Sequence, residues 1–129
     1  MVQCANVIRF LAWLVNRTPA VGKQLNDWNR IVQFSLSGEE PFYVTFSDGR
    51  MKFSRGEAQG PHLEFVSTSR DFFDVIIGKM KFDQGFSQGT YVIRGSITDA
   101  VKLMRISELT FDSHPNLNKL VKSASRILA

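Results

Sequence analysis

Phe42-Tyr43-Val44-Thr45-Phe46-Ser47-Asp48-Gly49-Arg50-Met51-Lys52-Phe53-Ser54 is the stretch whose reading decides the fold. Phe42, Val44 and Phe46 alternate with Tyr43, Thr45 and Ser47, and Met51 and Phe53 then resume the apolar face opposite Lys52 and Ser54. A period of two puts alternate side chains on opposite faces of an extended chain, so each half is a half-buried strand. Between the halves stands Asp48-Gly49, the dipeptide that best tolerates the positive φ angles of a tight hairpin turn.

The same period continues upstream. Ile31 to Leu36 reads as a further strand, ended by Ser37-Gly38-Glu39-Glu40-Pro41. Before it, residues 5–15 form a short, very apolar helix closed by Asn16-Arg17-Thr18-Pro19, and a second helix is expected from about Val21 to Asn29. Downstream, Arg55 to Pro61 is a loop and Leu63 to Val66 a strand. Thr68-Ser69-Arg70-Asp71 has the form of a capping box and opens a helix with Phe72, Phe73, Ile76 and Ile77 on one face, stopped at Gly78. Residues 79–89 read as irregular, and Thr90 to Arg94 as a last strand closed by Gly95. Ser96 and Asp99 repeat the capping signal before a helix whose expected apolar stripe is Ile97, Val101 and Met104, supported by Ala100. His114-Pro115 opens a tail helix with Leu117, Leu120, Val121, Ala124, Ile127 and Leu128 on one side.

The composition bounds the function. A chain of 129 residues is one domain long and can bury a real core. Eleven Phe against two Tyr and two Trp supply flat, apolar side chains for either a thick core or an apolar cavity. The single cysteine, Cys4, excludes an internal disulfide, and His62 and His114 have no cysteine partners for a zinc site. No phosphate-binding glycine motif and no Gly-x-Ser-x-Gly elbow occurs, so neither a cofactor nor a catalytic group is expected. Val7 to Val15 is far shorter than the roughly twenty residues of a bilayer span, and Arg9 interrupts it. With no leader, no lipidation motif and a chain end of Ile127-Leu128-Ala129, a cytoplasmic protein is expected.

The charge of +4 is unevenly placed. Residues 1–35 carry Arg9, Arg17, Lys23 and Arg30 against Asp27, and the tail carries Lys119, Lys122 and Arg126. Between them, residues 36–112 hold nine basic and eleven acidic residues. Basic ends attract anionic membrane surfaces. Nucleic acid is not the expected partner, because the aromatics occupy inward strand positions and do not interleave with the cations.

The ordered set of elements carries a resemblance. The hairpin around Asp48-Gly49 is followed by Pro61-His62-Leu63-Glu64-Phe65-Val66-Ser67-Thr68-Ser69, then by the Arg70-Asp71-Phe72-Phe73 helix, Ile77-Gly78-Lys79-Met80 and Phe86-Ser87-Gln88-Gly89-Thr90-Tyr91-Val92-Ile93-Arg94-Gly95. Over roughly residues 25–110 this resembles the sterol carrier protein type 2 (SCP2-like) family. The resemblance implies an α+β domain, with a five-stranded, mainly antiparallel sheet covered on one side by helices and an apolar tunnel between them. It also implies a non-catalytic carrier of fatty acid, fatty acyl-CoA, sterol or isoprenoid lipid. The peroxisomal carriers' C-terminal Ser-Lys-Leu is not present, and residues 1–20 are expected to be an apolar helical extension of a domain spanning 21–129.

On that reading the lining residues are expected to be Phe46, Phe53, Phe72, Phe73, Ile76, Phe82, Phe86, Val101 and Met104, with Leu120 and Ile127 of the tail helix near the mouth. Each is equally a good core residue. The rival reading is an interaction module or homodimer built on the apolar faces of residues 7–15 or 117–128, and an acyl-CoA hydrolase is a more distant third.

Overall fold

The computed structural model describes residues 3–116. Helices α1 (Cys4–Val15) and α2 (Pro19–Gly22) precede strands β1 (Arg30–Ser37), β2 (Phe42–Ser47), β3 (Arg50–Arg55) and β4 (Leu63–Thr68). Helices α3 (Ser69–Ile76) and α4 (Phe82–Ser87), strand β5 (Val92–Gly95) and helix α5 (Ile97–Asp112) follow. The five strands form one sheet in the order β3-β2-β1-β4-β5, in which β1 and β4 run parallel and the other three pairings are antiparallel.

The hairpin is built as its sequence requires. Phe46 faces Met51 and Ser47 faces Arg50, and the turn residues Asp48 and Gly49 have φ of 55° and 73°. Two successive positive φ angles give the type I′ turn whose twist matches that of the flanking strands. Phe42, Val44, Phe46 and Met51 are buried on one face together with Val32, Phe34 and Leu36 of β1 and Leu63 and Phe65 of β4.

Both capping signals are realised. The Thr68 hydroxyl accepts from the Asp71 N–H at 3.1 Å, and the Ser96 hydroxyl from the Asp99 N–H at 3.1 Å. Helix α1 has no such cap of its own. Its first N–H groups, from Cys4 and Ala5, donate to the two carboxylate oxygens of Glu39 at 3.0 and 2.9 Å, and the Ser69 hydroxyl donates to the same carboxylate. A carboxylate at a helix N-terminus satisfies orphan donors and meets the positive end of the dipole. At the other end of α1, the Asn16 amide pairs with both backbone groups of Met51, each at 2.8 Å, and so occupies the edge strand β3.

Several elements differ from the sequence-based expectation. The helix expected over 21–29 is only the short α2 followed by turns, because Gly22 weakens it and Asp27 takes φ of 60°. Val21, Leu25 and Trp28 are nevertheless buried, at the three- to four-residue spacing of a helix face. The segment expected to be irregular contains α4, whose Gly85 sits where a Cβ would come within 2.8 Å of the Tyr91 ring. In α5 the expected stripe is rotated. Ala100, Leu103, Ile106 and Thr110 are buried, whereas Ile97 and Val101 are exposed. The cause is Asp99, which turns inward to accept from Arg30 Nε at 2.9 Å and Trp28 Nε1 at 3.4 Å and fixes the rotation of the first turn. The tail helix expected after His114 lies, from residue 117 onward, outside the described residues.

Helix α1 packs into the same core as the rest of the domain, with Ile8, Leu11, Ala12 and Val15 buried against the sheet. Its apolar side is therefore turned inward.

Candidate functional site

Between the inner sheet face and the helices lies a cavity of about 520 Å³. Phe34, Phe65 and Met51 of the sheet form its floor, and Val7, Ile8 and Leu11 of α1 one wall. Phe72, Val75 and Ile76 of α3 and Leu103, Met104 and Phe111 of α5 form the others, and the segment 77–83 closes the side between α3 and α4. The volume is within the ~300–1,000 Å³ of small-molecule sites, and the lining is mainly apolar.

Aromatic packing holds the floor. The Phe65 ring lies 5.5 Å from Phe72 and, edge-on, 5.7 Å from Phe82, while Phe34 lies 5.8 Å from Phe72. Tyr91 is buried behind them and donates its hydroxyl to the Phe82 carbonyl. Burial, and then the charge of Asp83, push the Tyr91 phenol above its ordinary range. Polar residues meet the cavity where it opens, namely Lys81, Asp83, Ser107, Glu108 and Asp112.

The lining expected from the sequence is only partly assembled around this space. Phe72, Ile76, Phe82 and Met104 border it. Phe46 is instead packed under Trp28 with ring centroids 4.8 Å apart. Phe53 borders a second, more open cleft beside Arg9, Arg50 and Lys52, and Phe73 is half-buried away from the cavity. Phe86 and Val101 are 49% and 41% exposed, which removes them from any interior. Leu120 and Ile127 lie outside the described residues. Sequence reading passed over the α1 contribution of Val7, Ile8 and Leu11, and also Met80, Leu103 and Phe111. The apolar run of α1 was the available signal, and only tertiary packing shows which side of it meets the cavity.

Among the described residues there is no group of His, Cys, Asp and Glu arranged to hold a metal. Cys4, Glu39 and Ser69 do converge, but as structure. The Cys4 thiol is fully buried and bonded to the Ser69 carbonyl at 3.2 Å, and burial with the nearby Glu39 charge pushes it up to about 12. A thiol in that state is no nucleophile. His62 accepts the Ile31 N–H at its Nδ1, and His114 Nε2 bonds the Thr18 hydroxyl at 3.0 Å, so both imidazoles join elements.

The family model described as the SCP-2 sterol transfer family matches residues 11–108. The chain belongs to the SCP-2 sterol transfer family. Membership carries lipid binding or transfer in general. The SCP-2 fold recurs in solved structures at low identity. A sterol carrier protein domain of Helicoverpa armigera superimposes with a TM-score of 0.68 at 19% identity, over 81% of this chain and 85% of that one. A protein titled "UbiJ-SCP2 Ubiquinone synthesis protein" does so with a TM-score of 0.67 at 12% identity, over 82% and 88%. The chain also superimposes on part of a larger enzyme, the sec-alkylsulfatase Pisa1 from Pseudomonas sp.. There the TM-score is 0.57 at 13% identity over 68% of this chain, but the match covers only 14% of the enzyme. At these identities the likeness concerns the SCP-2 fold alone. No curated protein sequence matches the chain.

Among the described residues no helix is long and apolar enough to cross a membrane.

Proposed function

We propose that this SCP-2 domain carries one hydrophobic molecule in the cavity under α1 and α5, and that it does so without chemistry. The observation that supports the reading is the cavity of about 520 Å³ lined by apolar side chains from the sheet, α1, α3 and α5. Burying one methylene is worth about 0.8 kcal/mol, so a sixteen-carbon chain offers on the order of 10 kcal/mol gross. Association and ordering cost several kcal/mol of that, which leaves micromolar to high-nanomolar binding. A fatty acid, acyl-CoA, sterol or isoprenoid lipid all fall within this range. Among the described residues the lining holds neither a His nor a Cys, which supports a site that works by volume and apolar surface.

The route for loading is a membrane. On its outer side α1 presents Arg9, Phe10 and Trp13, with the guanidinium of Arg17, in the turn that follows, 4.3 Å over the exposed Trp13 ring and Phe10 stacked on Trp13 at 5.9 Å. Arg50 and Lys52 of the hairpin lie beside Arg9 along the second cleft. An aromatic and basic face of this kind suits the headgroup layer of an anionic bilayer. We place the protein on the cytoplasmic side of such a membrane.

Native mass spectrometry of freshly purified protein, followed by extraction and identification of the bound lipid, tests the carrier reading. A near-stoichiometric adduct is the expected result. An unliganded mass, together with no uptake of fluorescent fatty acid or sterol, would refute it. For the membrane face, vesicle co-sedimentation should rise with anionic lipid and fall with salt, and indifference to both would refute the docking surface.

A further inference from the structure

Strand β3 ends the sheet, and its outer edge is only partly occupied. The Asn16 amide takes both backbone groups of Met51, at 2.8 Å each, and so stands where one residue of a sixth strand would. Backbone groups along a strand point alternately to its two sides, so Phe53 and Arg55 present their N–H and C=O to the same side as Met51. The hairpin register agrees, because the Gly56 N–H donates inward to the Pro41 carbonyl at 2.8 Å. Among the described residues nothing bonds the outward groups of Phe53 or Arg55. Beside them lies the second cleft, of about 590 Å³. Thr45, Ser47, Arg50 and Lys52 line it from the outer face of the sheet, and Met51 and Phe53 from the inner face. A space bounded by both faces of a strand runs along its edge.

The charge along this edge is positive on both faces. The guanidiniums of Arg9, from α1, and Arg55 each lie 5.7 Å from the Phe53 ring centre on the inner face, and Arg50 and Lys52 are exposed on the outer face. Among the described residues none of the four is in an ion pair. The neighbouring carboxylates stand at the two ends, Asp48 in the hairpin turn and Glu40 and Glu57 beyond Pro41 and Gly56. Residues 1–2 and 117–129 contain no Asp or Glu that could neutralise the cations.

We infer that the edge of β3 takes an extended acidic segment of a partner protein as a sixth strand, passing Phe53 and Arg55. Strand addition of this kind draws affinity from main-chain hydrogen bonds and specificity from alternate side chains. Acidic side chains of the added strand meet Arg9 and Arg55 on one face and Arg50 and Lys52 on the other. Like charge keeps a second copy of the same edge away. A lipid head group neutralises the same cations but forms no ladder with Phe53 and Arg55, so the open backbone favours a peptide. The inference goes beyond the carrier reading and does not depend on what fills the main cavity.

The test uses the full chain and a fluorescent peptide of alternating glutamate and valine, followed by anisotropy at low salt. Saturable binding that weakens with salt is expected, together with slowed amide hydrogen exchange at Phe53 and Arg55. The R9Q/K52Q variant should bind about fivefold more weakly, the size of two exposed ion pairs. Proline is tolerated on an edge strand where its nitrogen faces solvent, so R55P removes one outward donor and leaves the β2 ladder whole. R55P should bind about fivefold more weakly than R55Q, which loses the charge but keeps the N–H. Equal binding by R55P and R55Q would overturn the inference, as would peptide binding without protection of Phe53 and Arg55. So would equally tight binding of the same peptide N-methylated at alternate residues. If anionic vesicles bind and the peptide does not, the cations serve the bilayer alone, and the inference falls while the membrane face stands.

Discussion

Met104 projects from α5 into the cavity and is only partly buried, so replacing it with tryptophan converts empty space into side chain. An indole buries on the order of 50 Å² more apolar surface than the thioether it replaces, worth about 1 kcal/mol at ~25 cal/mol per Å². The Met104→Trp protein should therefore be as stable as the wild type or more so, with a melting temperature up to about 5 °C higher. The same indole takes the place of roughly five methylenes of ligand, about 4 kcal/mol gross, and ligand affinity should fall at least tenfold after the ligand readjusts. Differential scanning fluorimetry and Nile red titration read the two quantities. Val101→Trp, on the exposed side of the same helix, is the control that should move neither. If the cavity is in fact closed by packing, the indole has nowhere to go. Met104→Trp would then destabilise by about 1–3 kcal/mol and leave dye uptake unchanged, and that pair of results would refute the reasoning.

Three further outcomes follow from the fold. The Cys4 thiol titrates near 12 in the folded state against 9.0 for an ordinary thiol, so the folded form holds its proton longer and stability falls as pH rises above 9. Urea denaturation should show a loss of about 1 kcal/mol between pH 9 and 10 that Cys4→Ala removes, before Tyr91, also shifted upward, contributes with the same sign at higher pH. Gly95 has φ of 107° and closes on the His62 carbonyl, with Leu63 Cα 3.2 Å from where a Cβ would stand. Gly95→Ala should cost about 3–5 kcal/mol and detach β5 from β4, which hydrogen exchange at Phe65 and Val66 would reveal as lost protection. Asn16→Ala strips both partners from Met51 on the edge strand. A loss of about 1–2 kcal/mol in urea is expected, and an unchanged midpoint would show that water replaces the amide without cost.

Much of this protein is local in origin and therefore legible in the chain. The alternation from Phe42 to Ser54 and the Asp48-Gly49 turn need only their own neighbours, and so do the hydroxyl caps at Thr68 and Ser96. The ordered set of these elements was enough to recognise the family. What remained hidden depends on partners distant in sequence. The rotation of α5 was set by Asp99 pairing with Arg30 and Trp28, some seventy residues earlier, and an apolar stripe read from Ile97 and Val101 alone had no access to that pair. The cap of α1 comes from Glu39, in the turn after β1 and some thirty-five residues along the chain from the N–H groups it accepts. The parallel pairing of β1 with β4 lies between segments that the hairpin separates.

The candidate site divides along the same line. Sequence determined that the interior is rich in phenylalanine, that the inner face of the sheet is apolar and that the chain has the SCP-2 order of elements, because periodicity and capping act over a few residues. Tertiary structure alone decided that α1 supplies a wall of the cavity, that Phe46 and Phe53 face elsewhere, and that Asp83, Glu108 and Asp112 meet at one rim. A cavity is the space left over when every element has found its packing, and no single segment carries a record of it.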